Sequence, residues 1–233
     1  MTWFTFPGFG LIDLSVTWDP AWPQVLEAGW GLYMTLFVGV PFAVIAVRGR
    51  VSLQPATAQL CVALGALIIS AIVATEAPLL LLSLVVAVET MIVAGLPSPR
   101  RPNLAARVIR QPLMMPLILG VVPWMVYALV MWELNRQNRP DGDITVGVDH
   151  YSVQGACGLA ALALVGVAAF WPPGRLLMGT CAGLAAIYLG VVSWAWHPTP
   201  GSFNQTWSAI CIFWGIVVIM IAALTRPTHT AGF

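Results

Sequence analysis

Residues 57–96 read TAQLCVALGALIISAIVATEAPLLLLSLVVAVETMIVAGL, two apolar runs separated by a short turn around Glu76. Each run has about 20 residues, which is the length an α-helix needs to cross the roughly 30 Å hydrocarbon core of a bilayer. The rest of the chain has the same character, because 59% of its 233 residues are hydrophobic and only 8% are charged. A soluble domain carries about 25% charged residues. The sequence therefore predicts an all-α integral membrane protein.

Apolar runs of this length recur along the chain and predict a polytopic fold with seven transmembrane helices. The runs lie at about residues 29–47, 56–75, 78–96, 112–132, 152–171, 175–196 and 206–225. The predicted divisions are an external interfacial N-terminal segment (1–28), a four-span half (29–132), an external loop (133–151), a three-span half (152–226) and a cytoplasmic tail (227–233). The first residues lack the basic region and cleavage pattern of a signal peptide. Their aromatic side chains, Trp3, Phe4, Phe6 and Phe9, are typical of a membrane interface. The loop is expected to turn at Pro140, Asp141 and Gly142.

The arginines predict the orientation of the chain. All ten basic residues are Arg, and eight of them fall on one side of the predicted spans: Arg48, Arg50, Arg100, Arg101, Arg107, Arg110, Arg175 and Arg226. The loops of the other side hold Arg136 and Arg139 and eight acids: Asp13, Asp19, Glu27, Glu76, Glu133, Asp141, Asp143 and Asp149. Cytoplasmic loops of membrane proteins are enriched in basic residues. We therefore expect the N-terminus outside and the C-terminus in the cytoplasm.

The sequence offers little catalytic chemistry. Without lysine, this chain cannot form a Schiff base or use a lysine as a proton carrier. The cysteines occur singly within apolar stretches and predict buried, inert thiols rather than disulfides or a zinc site. His150, His197 and His229 are far apart, and His229 is expected on the opposite side of the membrane, which excludes a three-histidine metal site. No catalytic or nucleotide-binding motif occurs, so we expect no catalytic residue, no metal and no cofactor, and a membrane enzyme is disfavoured.

Glu89 is the residue that most needs an explanation, because it lies near the middle of the third predicted span. Its neighbours at helical spacing are Val85, Val86, Ile92 and Val93, and none of them stabilises a charge. A carboxylate at that depth costs at least a few kcal/mol unless it is protonated, paired or hydrated. Two interpretations stay open: a proton or cation carrier, or a protonated acid that only forms a hydrogen bond between helices. A group supplied by another subunit is a further candidate for its partner.

Other polar residues lie at the predicted outer ends of the spans. Glu76 is at the turn between the second and third spans, where solvation is the simplest interpretation. His150, with Asp149 beside it, and His197 are candidates for lining an external vestibule. The aromatic belt of the interface explains the histidines equally well, since Trp194 and Trp196 precede His197.

Helix packing is expected to depend on prolines and glycines. Pro41, Pro116 and Pro123 lie inside spans, and each removes a backbone hydrogen bond that a neighbouring helix or partner must replace. Gly179 and Gly183 have GxxxG spacing, and Gly155 and Gly158 have a similar spacing. We expect spans five and six to approach closely there, although ordinary packing also explains such glycines.

The stretch 57–96, with Ala58-Gln59 opening a span, an acid at the turn and a polar midpoint in the next span, resembles the first half of the hydrogenase-4 component E family. Residues 153–201, VQGACGLAALALVGVAAFWPPGRLLMGTCAGLAAIYLGVVSWAWHPTPG, resemble the later spans of that family, including the short basic turn and the aromatic end of span six. The resemblance covers spans one to three and five to seven. It implies a membrane-arm subunit beside antiporter-like subunits in a complex I-related [NiFe] hydrogenase or formate hydrogenlyase.

The resemblance also implies roles for single residues. Glu76 matches the acid of the family at the turn between spans two and three. Glu89 matches a position where the family tends to have a basic residue, and the acid of the family in span six has no counterpart in residues 179–186, GTCAGLAA. These departures argue against proton conduction by this chain alone. They are compatible with a scaffold whose Glu89 meets a basic group of an adjacent subunit.

We therefore expect a non-catalytic, multi-pass subunit of a proton-translocating redox assembly in the bacterial cytoplasmic membrane. Its expected partners are antiporter-like and other membrane subunits and the lipid bilayer, and no nucleic acid; Glu89 and Glu76 are the candidate proton-relay residues. The alternative is a stand-alone secondary transporter for an ion or small solute, with an external cavity lined by Glu76, His150 and His197.

Overall fold

The structure is a computed structural model that describes residues 10–97, 111–138, 144–145 and 147–225. The predicted aromatic interface residues before position 10, the turn at 140–142 and the tail at 227–233 lie outside the described residues. So do six of the ten arginines: Arg100, Arg101, Arg107, Arg110, Arg139 and Arg226.

The described residues are almost entirely helical, as the sequence predicts. The helices are α1 (Gln24–Leu32), α2 (Val40–Arg48), α3 (Leu53–Ala74), α4 (Ala77–Ala94), α5 (Gln111–Arg136), α6 (His150–Phe170), α7 (Arg175–Ala195) and α8 (Gln205–Leu224). A π-helical segment, Tyr33–Gly39, joins α1 to α2, and 3₁₀ turns at Gly49–Ser52 and Pro172–Gly174 precede α3 and α7. Strands β1 (Ile144–Thr145) and β2 (Val148–Asp149) form an antiparallel ribbon between α5 and α6.

Six helices in these ranges are long and apolar enough to cross a membrane. The first of them, Gln24–Ala74, has 51 residues, which as one straight helix would be about 76 Å long. It folds back at Gly49, whose φ of 66° is readily adopted only by glycine. The Oγ of Ser52 donates to the carbonyl of Val44 at 3.2 Å, and the hydroxyl of Tyr33 donates to that of Ala63. The stretch is thus a hairpin of two antiparallel arms, and its first arm begins at Gln24 rather than at about residue 29.

The π-helical segment ends at Gly39, two residues before Pro41, and this proline changes its hydrogen bonding. The N–H of Val40 donates to the carbonyl of Thr35, five residues back. The next residue is proline and has no N–H, so the carbonyl of Leu36 would lack its partner. Instead, the side-chain amide of Gln59 on α3 donates to that carbonyl at 2.8 Å. The expected replacement of the missing bond by a neighbouring helix is therefore found at Pro41.

Helix α6 is the centre of the bundle. It packs against α1, α3, α5 and α7. Of its most apolar 18-residue stretch, 72% is buried, compared with 33% for the corresponding stretches of α5 and α8.

The bundle has two chemically different ends. The acidic end holds Glu27, Glu76, Glu133 and Asp149, and the arginine end holds Arg48, Arg50 and Arg175. The buried Arg175 donates to the carbonyls of Ala168 at 3.0 Å and Thr225 at 3.1 Å, at the C-termini of α6 and α8.

The glycines pack between different helices from those expected. A Cβ at Gly183 would lie 2.6 Å from the carbonyl oxygen of Gly215, and one at Gly179 would lie 2.6 Å from the Cβ of Ala222, so both glycines face α8. Gly155 and Gly158 face the rings of Trp132 and Tyr127 on α5. The expected close approach of spans five and six at these glycines is therefore wrong. The glycines instead lie in the α7–α8 and α5–α6 contacts. There a ring or a backbone segment of the facing helix comes too close for a side chain at the glycine position.

Two other expectations are changed by packing. Cys157, Cys181 and Cys211 are buried as expected, but Cys61 is exposed on the outer face of α3. The N-terminal segment is helical over residues 10–16. The carbonyl of Leu14 in this segment accepts a hydrogen bond from the hydroxyl of Tyr188 on α7 at 2.7 Å. The segment therefore contacts the bundle as well as exposing Leu11 and Ile12.

Candidate functional site

Glu89 lies on the face of α4 that packs against α3. The buried positions of α4 recur at helical spacing: Leu79, Leu82, Ser83, Val86, Glu89, Thr90 and Val93. Glu89 is twelve residues beyond the start of α4 at Ala77, which is about 18 Å along the helix axis at 1.5 Å per residue. In a bilayer with a hydrocarbon core of roughly 30 Å, that position is near the middle.

The carboxyl group of Glu89 has no stabilising partner among the described residues. The side chain is 5% exposed, and its buried Oε1 has no hydrogen-bond partner. The neighbouring hydroxyls of Ser83 and Thr90 donate to carbonyls of their own helix, those of Leu79 at 2.8 Å and Val86 at 2.7 Å. No described arginine forms an ion pair with Glu89. Because an unpaired carboxylate is costly in this environment, the physical expectation is a protonated, neutral acid.

Glu76 lies at the turn between α3 and α4 and is half-buried. Thr75 takes a left-handed conformation with φ 60°, which ends α3. The side chain of Asn135 on α5 donates to Glu76 Oε2 at 3.1 Å and to the carbonyl of Ala74 at 3.3 Å. Glu76 is therefore part of a contact between α5 and the α3–α4 turn rather than a purely solvated loop residue. It lies at the acidic end, whereas Glu89 lies most of a helix length away.

A buried pair of titratable residues occupies the acidic end next to α1. His150 is 0% exposed, and its Nδ1 lies 3.4 Å from Oε1 of Glu27, which is also buried. The Nε2 of His150 lies 2.9 Å from the hydroxyl of Thr145 in β1. The ring of Trp30 stacks on the imidazole with a centroid distance of 5.0 Å and an interplanar angle of 12°. The ribbon and the first turns of α1 and α6 thus enclose this pair.

The sequence pattern did not predict the Glu27–His150 pair. Glu27 was expected in an external segment, because the apolar run that marks the first span begins only at residue 29. The signal available in the sequence is the spacing of Glu27 and Trp30, three residues apart on one helical face. Their contact with His150 is long-range, so no local pattern specifies it.

The vestibule expected from Asp149, His150 and His197 is not supported by the positions of these residues. Asp149 caps the N-terminus of α6 and accepts from the N–H of Tyr151 at 2.9 Å. His150 is fully buried, whereas His197 is exposed after α7, with its Nδ1 3.5 Å from the hydroxyl of Ser202. Because one imidazole is enclosed and the other faces out, the two histidines do not face a common opening.

A second buried polar group, Gln154, lies one helical turn after His150. Its amide nitrogen donates to the carbonyl of Val25 at 3.2 Å and to the hydroxyl of Tyr127 at 2.6 Å. Its Oε1 has no partner and lies directly over Gly29. Gln154 thus joins α1, α5 and α6, and any side chain at position 29 would displace it. The sequence pattern missed this residue because it lies in an otherwise apolar run.

The described part of the chain contains no group of three or more His, Cys, Asp or Glu residues arranged to hold a metal ion. The chemical capability that its geometry supports is proton binding by isolated groups, namely Glu89 in the apolar layer and the Glu27–His150 pair at the acidic end. Comparison with protein-family models, with curated proteins and with solved structures finds no match to this chain.

Proposed function

We propose that this protein is a non-catalytic integral membrane subunit of a proton-translocating redox assembly of the complex I type, as in hydrogenase-4 or formate hydrogenlyase. The observation that carries the proposal is Glu89, a carboxyl group in the apolar layer of α4 that has no partner among the described residues. Its neutral form is the stable one there. A group that stays protonated at rest, and loses its proton only when a neighbouring charge arrives, suits a relay position in a larger assembly.

The proposed topology has seven spans, with the N-terminus outside and the C-terminus in the cytoplasm of a bacterium. The hairpin in Gln24–Ala74 supports this number, because one 51-residue apolar stretch that folds back supplies two crossings. Together with the five further long apolar helices, two crossings by this stretch would give the proposed seven. The distribution of arginines and acids along the sequence supports the orientation.

The position of α4 supports contact with other subunits. Among the described elements, α4 packs mainly against α3 and is otherwise at the edge of the bundle. Its outer face exposes Leu81, Leu84, Met91 and Ile92. An apolar edge helix of this kind faces either lipid or the helix of an antiporter-like subunit. A partner helix on this face would lie one helix thickness from Glu89, close enough for its charge to change the proton affinity of the carboxyl group.

Purification tests the assembly. The tagged protein should be extracted from its native membrane in a mild detergent, and the proteins that copurify should be identified by mass spectrometry. We expect an antiporter-like subunit and a nickel-hydrogenase subunit in stoichiometric amounts. Recovery of the chain alone, after extraction conditions that keep other membrane complexes intact, would contradict the proposal.

The role of Glu89 is tested separately in the purified assembly. Glu89→Gln keeps the shape and polarity of the side chain and removes its ability to release a proton. Proton translocation into vesicles should be largely lost, while electron transfer continues. The matched control is Glu133→Gln, since Glu133 is exposed and pairs with Arg136, and it should leave translocation unchanged. Equal translocation by the Glu89→Gln and wild-type assemblies would remove Glu89 from the relay.

The second candidate function is a stand-alone secondary transporter, and the buried Glu27–His150 pair is the observation that favours it. Intramembrane ionisable pairs often mark ion pathways in transporters. The purified chain in liposomes distinguishes the two functions, because only the transporter would show proton-coupled uptake without other subunits. In that case Glu27→Gln should abolish uptake.

A further inference from the structure

A groove of about 250 Å³ lies between α5 and α8. Among its lining residues are Pro116, Gly120 and Trp124 of α5 and Trp207, Ile210 and Trp214 of α8. The walls are almost wholly apolar. Two buried donors of the lining already have partners: the indole Nε1 of Trp214 donates to the carbonyl of Pro116 at 2.8 Å, and the thiol of Cys211 donates to that of Ala186 at 3.2 Å. A bound molecule would therefore find almost no polar surface to recognise here.

Aromatic rings hold the shape of the groove. The ring of Trp214 lies over Gly120, where a Cβ would be only 2.9 Å from its Nε1. Trp124 contacts Trp214 edge-on with a centroid distance of 5.5 Å, and it contacts Phe203 in the same way at 6.3 Å. Because these side chains restrain one another, the groove exists before a ligand arrives, and binding orders few additional side chains.

We infer that this groove binds one acyl chain of a phospholipid. The groove is continuous with a bilayer-facing surface, since Ile118, Val122 and Phe213 beside it are 63%, 68% and 67% exposed. Its volume of about 250 Å³ accommodates part of one acyl chain. A polar or charged occupant would lose its hydration without gaining a hydrogen bond. The chain enters beside Trp207, in the first turn of α8, where an indole suits the headgroup level.

The inference rests on the membrane location of the bundle and not on the redox assembly proposed above. Its probe is a phosphatidylcholine with a photoreactive diazirine near the end of one acyl chain. The purified full-length protein is reconstituted with this lipid, illuminated, digested and mapped by mass spectrometry. We expect label on α5 residues 115–124 and α8 residues 207–217 at a level at least about threefold above that on the exposed face of α4.

Variants that fill the groove make the test specific. Ile210→Trp and Leu119→Trp add bulk at positions that are 44% and 64% exposed, so folding has little reason to fail. Both should reduce groove labelling to the level seen on α4. Leu84→Trp, on the exposed face of α4, is the matched control and should leave the groove label intact.

Two results would overturn the inference. The first is label spread evenly over all exposed apolar residues in the wild-type protein, which indicates an ordinary lipid-facing surface. The second is found with the photoreactive lipid added to native membranes. If the groove is labelled less than α4 in those membranes, a helix of another protein, and not a lipid chain, occupies the groove.

Discussion

The side-chain amide of Gln59 occupies the position of a missing backbone donor and hydrogen-bonds the carbonyl of Leu36 at 2.8 Å. In the π-helical register the carbonyl of Leu36 would accept from the N–H of residue 41. Residue 41 is proline, which has no N–H, so the backbone offers this carbonyl no donor. The hairpin between the first two arms is therefore fixed by a polar contact within an apolar interface. In a bilayer no water is present to replace this bond.

The first prediction follows from this contact. Gln59→Leu should lower the free energy of unfolding in detergent micelles by about 1–3 kcal/mol, since a buried carbonyl loses its partner. Pro41→Ala restores a backbone donor and should recover much of that loss in the double variant. Chemical or thermal unfolding followed by circular dichroism measures both effects. Additive losses in the double variant would show that the amide and the proline are not coupled.

The second prediction concerns the contact between α7 and α8. Gly183→Val should separate these helices, because even a Cβ would lie 2.6 Å from the carbonyl oxygen of Gly215. We expect destabilisation of about 1–3 kcal/mol, the range for overpacked cores. Gly65→Ala is the control, since a Cβ there meets no atom within 4 Å. It should be neutral or stabilise the helix by up to about 1 kcal/mol. A Gly183→Val protein with wild-type stability would disprove the close approach.

The third prediction compares a buried and an exposed pair at the acidic end. Glu27→Gln removes the carboxylate beside the fully buried His150 and should cost about 1–3 kcal/mol, the range for a buried polar group that loses its neighbour. Glu133→Gln breaks the exposed pair with Arg136, whose two side chains are 52% and 39% exposed. It should cost clearly less, because solvent screens an exposed pair. Unfolding measurements on the two variants check the difference, and equal costs would mean that the Glu27–His150 contact contributes little.

The fourth prediction isolates the chemistry of Glu89 from its role in folding. If the acid is neutral in the isolated chain, Glu89→Leu should stabilise it or leave it unchanged within about 1 kcal/mol, because a buried oxygen without a partner is removed. The measurement is the free energy of unfolding of the purified subunit. A loss of more than about 2 kcal/mol would reveal a bond to the carboxyl group and would contradict the neutral, unpartnered state.

The fifth prediction concerns the contact between α3, α5 and α6. The hydroxyl of Ser70 donates to the carbonyl of Ser152 at 2.5 Å and accepts from the indole Nε1 of Trp132. Ser70→Ala leaves the buried indole N–H of Trp132 without its acceptor and should cost about 1–3 kcal/mol. Ser83→Ala, whose hydroxyl bonds only within its own helix, should cost clearly less. Similar losses in both variants would show that the network does not join the helices.

The sequence by itself determined the helices, because a bilayer of fixed thickness requires apolar runs of matching length. Residues 57–96 show this clearly. Helices α3 and α4 lie where the two apolar runs predict them, and the turn between them falls at Thr75 and Glu76. The isolated position of Glu89 was also evident from its valine and isoleucine neighbours. Such features depend on residues close together in the chain.

Only the tertiary structure decided which helix faces which. Gly183 faces α8 and Gly155 faces α5 because of rings and backbone segments far away in sequence, and GxxxG spacing does not name its partner. The same holds for Gln59 with Leu36 and for Glu27 with His150. A polar residue in an apolar run indicates that a partner is needed. Its identity depends on how the helices pack, and in lipid that packing is set by shape and hydrogen bonding rather than by the hydrophobic pattern.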